Sequence, residues 1–105
     1  MNLEELKKKL RGYKKEGIII TFHAEVQAHV REVDLEEVKN NIINPERLVY
    51  SKQQKSEKLG EEKYECYFAY SKQSCHKYVL TINRKIIIVT IIKIDRNWQK
   101  IIERR

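Results

Sequence analysis

The sequence predicts one α+β domain, an antiparallel sheet of four to five strands with helices packed on one face and an extra helix at the N-terminus. Three observations carry that reading. The chain has 105 residues, the usual size of a single domain. Its first 44 residues hold apolar side chains at helical spacing, whereas from Arg47 onward four extended runs follow one another. The connectors between those runs are short or polar, too short for the crossover that parallel neighbours would need, so an antiparallel meander is expected.

Each element follows from local residues. Leu3, Leu6, Leu10 and Tyr13 form one stripe, with Asn2 as N-cap and Glu5 three residues on, so a helix is expected over about 2–15, ending near Gly17. Residues 17–22, GIIITF, read as a short β-branched strand that hands the chain to a helix capped by Thr21 and running to about Arg31. Asp34 caps the next helix, Glu37 stands at its third position, and Val33 and Val38 bracket the cap as a hydrophobic staple. Its buried stripe is Leu35, Val38 and Ile42, and Asn44-Pro45 stops it. The runs RLVYS, KYECYFAY, HKYVLTI and KIIIVTIIKI are the meander strands, and Asp95 is expected to open a last helix, about 95–103, bearing Trp98, Ile101 and Ile102. The whole chain, 1–105, is one domain, with no internal repeat.

Alternation assigns faces. Tyr64, Cys66, Phe68 and Tyr70 with Tyr78, Leu80 and Ile82 form the core set, joined by Trp98. Glu65, Tyr67, Lys77 and Thr81 gather on the other, open face. Ile87, Val89 and Ile91 would leave an apolar patch there if no helix covered it.

Composition narrows the function classes. Lys and Arg number 22 against 15 acids, a net charge of +7, and the excess is uneven: residues 71–105 hold nine basic and two acidic residues, residues 18–70 seven and ten. Such a surplus points to a polyanionic partner. Fourteen isoleucines, a Lys/Glu-rich surface, one proline and three glycines resemble hyperthermophile compositions. The opening residues are charged and amphipathic rather than a secretory leader, and the longest apolar stretch, 86–92, falls far short of the ~18 residues of a span, so a cytoplasmic protein with no membrane partner is expected.

Several residues could carry chemistry. His23 sits at the first turn of its helix, where backbone N–H groups favour anions; it could equally pack locally. His23 and Arg31 share a helix face but stand about 12 Å apart along the axis, too far to grip one phosphate. On the open sheet face Tyr67 could stack a base, Lys77 hold a phosphate and Glu65 act as general base toward a 2′-hydroxyl, or Glu65 and Lys77 could form a plain cross-strand ion pair. Cys66 and Cys75 fall out of register for a disulfide, and Cys75-His76 lacks the companions a zinc site requires. No phosphate loop, metal site or cofactor motif is present, so none is expected.

The stretch ITFHAEVQAHVREVDLEEVKNNIINPERLVY and the strands ending IVTIIKI resemble a small toxin-like family allied to BrnT and, more distantly, to the RelE/ParE toxins. The resemblance covers about 18–94 and rests on His23-Ala24, Arg31, Asn44-Pro45 and Val89-Thr90. It implies a barnase-like/RelE-like fold and metal-independent RNA cleavage by basic and aromatic residues on the sheet. This sequence departs from that pattern in its N-terminal helix and in offering Lys77, Arg84 and Lys93 where several arginines are usual.

Three readings follow. The first is a ribonuclease toxin of a toxin–antitoxin pair, with His23, Glu65, Tyr67 and Lys77 as catalytic candidates and Arg31, Lys77, Arg84, Lys93 and Arg96 contacting nucleic acid. The second is a non-catalytic nucleic-acid-binding module of the same fold, and the third a protein-interaction domain. The corresponding partners are RNA, in free or ribosome-associated form, an antitoxin, or a second copy docked through the sheet face.

Overall fold

The computed structural model describes residues 1–104. Its elements, in order, are α1 (Leu3–Arg11), β1 (Ile18–Ile20), α2 (Phe22–Val30), α3 (Leu35–Ile43), β2 (Leu48–Gln54), β3 (Glu62–Ser71), β4 (Ser74–Ile82), β5 (Ile86–Ile94) and α4 (Trp98–Glu103), with short 3₁₀ turns at Lys15–Gly17 and Pro45–Arg47. The α+β class is as expected, and so is the meander from β2 to β5. The five strands lie in the order β1-β5-β4-β3-β2.

That sheet is mixed rather than antiparallel. β1 pairs in parallel with β5 through Ile18↔Ile86, Ile19↔Ile87 and Ile20↔Ile88. The long intervening chain allows this, because it returns to β1 after two helices, a 3₁₀ turn and three strands. β1 covers only the first part of β5; beyond it α2 lies along the same edge, and Gln27 Oε1 accepts a 2.9 Å hydrogen bond from the backbone N–H of Ile91 that no strand receives.

Most caps follow the sequence. Asn2 accepts from Glu5 N, Thr21 from Ala24 N, and Asp34 from Glu36 N. Two boundaries differ. α1 stops at Arg11 because Gly12 closes it, and α4 begins at Trp98 with Asn97 as its cap rather than at Asp95.

The main core lies between the sheet and α1–α3. Leu6 and Leu10 of α1, Ala24 and Ala28 of α2, and Val38 and Ile42 of α3 meet Tyr64, Cys66, Phe68, Tyr78, Leu80, Ile82, Ile86, Ile88 and Ile91. The N-terminal helix is thus an integral part of the core. Helices do not all share this face, however. α4 crosses to the other side, where Trp98, Ile101 and Ile102 pack on Tyr67, Cys75 and Ile94, so Trp98 leaves the expected core set.

A bulge moves one more residue. Val79 pairs with Thr90 and Leu80 with Ile88, which leaves Val89 as the extra residue of β5 and reverses the alternation beyond it. Ile91 is therefore fully buried in the core, while Ile87 and Val89 are half-buried. The expected patch of three residues on the open face does not form. No helix among the described residues is long and apolar enough to cross a membrane.

Candidate nucleic-acid interface

The residues expected to act together on the open face are sealed. Tyr67 is fully buried beneath α4, with Tyr50 edge-on at 5.6 Å between ring centroids, so it presents no ring to a base. Glu65 is buried too; Gln54 Nε2 donates to its Oε2, and Lys77 Nζ lies 3.3 Å from its Oε1. The same ammonium stands 5.7 Å from the Tyr67 ring centroid. Lys77 is thus engaged by a carboxylate and a ring. The open-surface expectation for Glu65, Tyr67 and Lys77 is corrected to a structural cluster.

The remaining candidates are spread over the molecule. His23 is exposed on α2, across the sheet from Glu65 and Lys77. Arg31 is half-buried at the end of α2, its Nη1 3.5 Å from the Gln27 carbonyl oxygen. Arg84 belongs to the β4–β5 turn, where it lines a cleft of about 390 Å³ with Lys58, Lys85 and Asn83. Lys93 lies nine residues further along, roughly 30 Å of extended chain at ~3.3 Å per residue. Arg96 lines a shallow cleft of about 260 Å³ with Asn97, Lys100 and Arg104.

At the end of the sheet that carries the β3–β4 turn, the structure assembles a group absent from the candidates above apart from Lys93. A cleft of about 230 Å³ is lined by Glu32, Glu37, Tyr70, Ser74, His76 and Lys93. Cross-strand pairing sets His76 opposite Lys93, and the carbonyl oxygen of Ser71 accepts a 2.7 Å bond from Trp98 Nε1, which ties α4 to this end. Arg47 adds its guanidinium 4.3 Å over the Tyr70 ring.

A hydrogen-bond chain runs behind the cleft. Asn41 Nδ2 donates to Tyr70 Oη at 2.8 Å and to Tyr78 Oη at 3.0 Å. Its two hydrogens are then used, so each tyrosine spends its own hydrogen elsewhere: Tyr70 on Glu37 Oε2 at 2.7 Å, Tyr78 on His76 Nδ1 at 2.7 Å. Nδ1 is an acceptor, and the proton of the neutral imidazole sits on Nε2. A second proton at Nδ1 would set two donors against each other and strand the Tyr78 hydroxyl hydrogen.

Electrostatics agree with that assignment. Burial lowers the pKa of His76, and Lys93 and Arg47 act in the same direction against Glu37 and Asp95. Burial and the Glu37 carboxylate push the Tyr70 phenol up to about 12, and burial raises Tyr78 as well, so both stay protonated donors. The cleft therefore offers a neutral imidazole, an ammonium and a hydroxyl beside two carboxylates. Lys93 stands on one side of the cleft and Glu37, already accepting from Tyr70, on the other.

Glu32 adds a local strain. It occupies the left-handed region, φ 56°, as the residue after the α2 cap. Val33 N bonds to Ala28 O at 2.8 Å and Glu32 N to His29 O at 3.2 Å, a Schellman closure that ordinarily takes glycine.

Comparison of the chain with family models, curated proteins and solved structures gives no match.

Proposed function

We propose that the protein binds RNA with the end of the sheet that carries the β3–β4 turn, with a backbone phosphate seated in the His76–Lys93 cleft. One observation carries this reading: the side chains of Ser74, His76 and Lys93 converge on a single cleft, with the imidazole oriented from behind by Tyr78 and Asn41. Lys72 in the β3–β4 turn and Arg47 over Tyr70 add positive charge at this end of the sheet against the Glu32 and Glu37 carboxylates of the cleft, and Arg96, two residues past the end of β5, lines a neighbouring cleft of its own. Contacts of this kind position a phosphate backbone without reading sequence. The resemblance of residues 18–94 to the toxin-like family supplies RNA as the polyanion.

A second reading has its own observation. Glu37 lines the same cleft as His76 and Lys93. A carboxylate that takes the 2′-hydroxyl proton as that oxygen bonds to phosphorus, a cation that stabilises the pentavalent phosphorane, and solvent that protonates the departing 5′-oxygen as its bond to phosphorus breaks make up metal-independent RNA cleavage. In this reading the protein is a ribonuclease toxin that acts here and not through His23, Glu65, Tyr67 and Lys77.

Fluorescence anisotropy of a labelled single-stranded RNA, titrated in chelator between ~50 and ~300 mM salt, tests the proposal. The logarithm of the binding constant should fall by about 0.7 per phosphate contact for each unit of log salt. A protein that retains no RNA at ~50 mM salt overturns it. A denaturing gel of the same mixtures separates the readings: intact RNA leaves binding alone, and shortened products assign the ribonuclease.

A further inference from the structure

Helix α2 is built inside out. Its fully buried residues, Ala24 and Ala28, are small, whereas Phe22, Val26 and Val30 are 80%, 44% and 70% exposed. At about 100° per residue these three fall within an arc of about 80° centred on Val26, opposite the alanines. A helix that is apolar on two sides is ordinarily a covered helix.

The stripe is also stripped of charge. Residues 18–30, IIITFHAEVQAHV, contain one formally charged side chain, Glu25, in a protein that is 35% charged. Depletion of Lys, Arg, Asp and Glu around an apolar centre is the composition of an interface core rather than of a solvated helix.

We propose that a second copy of this chain covers α2, with the two helices packed antiparallel about a two-fold axis at Val26. Spacing argues for self-association. Phe22 and Val30 stand four residues to either side of Val26, so a two-fold axis there sets each Phe22 against Val30 of the other copy and Val26 against its own equivalent. A closed dimer demands this self-complementarity, large against small twice over. Area argues the same way. Phe22, Val26 and Val30 expose on the order of 330 Å² of apolar surface, within the size at which a patch is usually functional. Two copies bring about 660 Å², and at the ~65% apolar content of homodimer interfaces the total is about 1,000 Å², the size a specific interface should reach. The contact uses α2, not the sheet face that the sequence suggests.

Sedimentation equilibrium of the full chain between ~1 and ~200 μM tests this. The expected mass is twice 12.7 kDa at the upper concentrations. Val26→Lys and Val26→Glu each set two like charges on the axis and should sediment as monomers, with unchanged circular dichroism because position 26 is exposed in the single copy. Mixed in equal amounts, the two variants should dimerise again. A wild-type chain that stays at 12.7 kDa throughout, or a mixture that stays monomeric, overturns the proposal. Neither result bears on RNA binding, which uses other residues.

Discussion

Lys77 and Glu65 form an ion pair across β3 and β4, with Nζ 3.3 Å from Oε1, on the face of the sheet where α4 packs. The carboxylate side chain is 4% exposed and the lysine 17%, so the pair is out of bulk water. Its attraction offsets desolvation only while both partners are present.

Removing the ammonium alone should therefore be costly. Lys77→Met leaves Glu65 charged and buried, an expected loss of about 3 kcal/mol in urea denaturation. Adding Glu65→Gln should recover much of it. RNA affinity under native conditions should stay at the wild-type level in the double variant, since Lys77 is engaged within the fold.

Acid should destabilise the fold through His76. Burial, with Lys93 and Arg47 acting in the same direction, keeps its folded pKa below the ordinary imidazole value of 6.5, while the unfolded chain binds a proton at that value. The contribution is complete above pH ~6.5 and is lost as pH falls toward the depressed folded value. The urea midpoint of the wild type should drop between pH 7.5 and 5.5, and His76→Gln should show a smaller drop over that window. Equal drops would mean that the fold leaves the His76 pKa unshifted, and a larger drop in His76→Gln than in the wild type would mean that the folded imidazole holds its proton more tightly, reversing the hydrogen-bond polarity assigned above.

Much of this architecture is legible in the sequence, because short-range rules control it. Asn2, Thr21 and Asp34 cap the helices they precede, and the short turn after Ile82 admits only a hairpin. The rest depends on information that a local pattern lacks. Three isoleucines in a row at 18–20 mark a strand but name no partner, so the parallel pairing with β5 is invisible. Trp98, Ile101 and Ile102 show that α4 packs, not on which face. The run 86–92 is apolar at nearly every position, so the phase reversal at Val89 leaves no trace in the alternation. The His76 cleft does carry a signal in the sequence: Asn41 lies on the buried side of α3, and His76 shares the core alternation of β4 with Tyr78. Polar groups placed among core positions must find partners, and these find each other.

Glu32 should tolerate replacement better than most residues. In the left-handed conformation a side chain costs about 1 kcal/mol or more, so Glu32→Gly should raise stability by about that amount in urea denaturation. The same change removes a carboxylate from the rim of the cleft and should tighten RNA binding. A weaker complex would make Glu32 a positive contributor to the site.

RNA binding by this fold turns on which end of the sheet holds phosphate, the β3–β4 end proposed above or the opposite, β4–β5 end, and a paired comparison of RNA affinities decides between them. Lys93→Gln/Arg96→Gln and Arg84→Gln/Lys85→Gln each remove two positive charges, so the net charge of the variants is equal. The first pair should lower affinity and flatten the salt dependence by about 0.7 for each phosphate no longer neutralised, with the second pair close to wild type. Equal losses of affinity from both pairs, or a greater loss from Arg84→Gln/Lys85→Gln, would contradict a phosphate seat between His76 and Lys93.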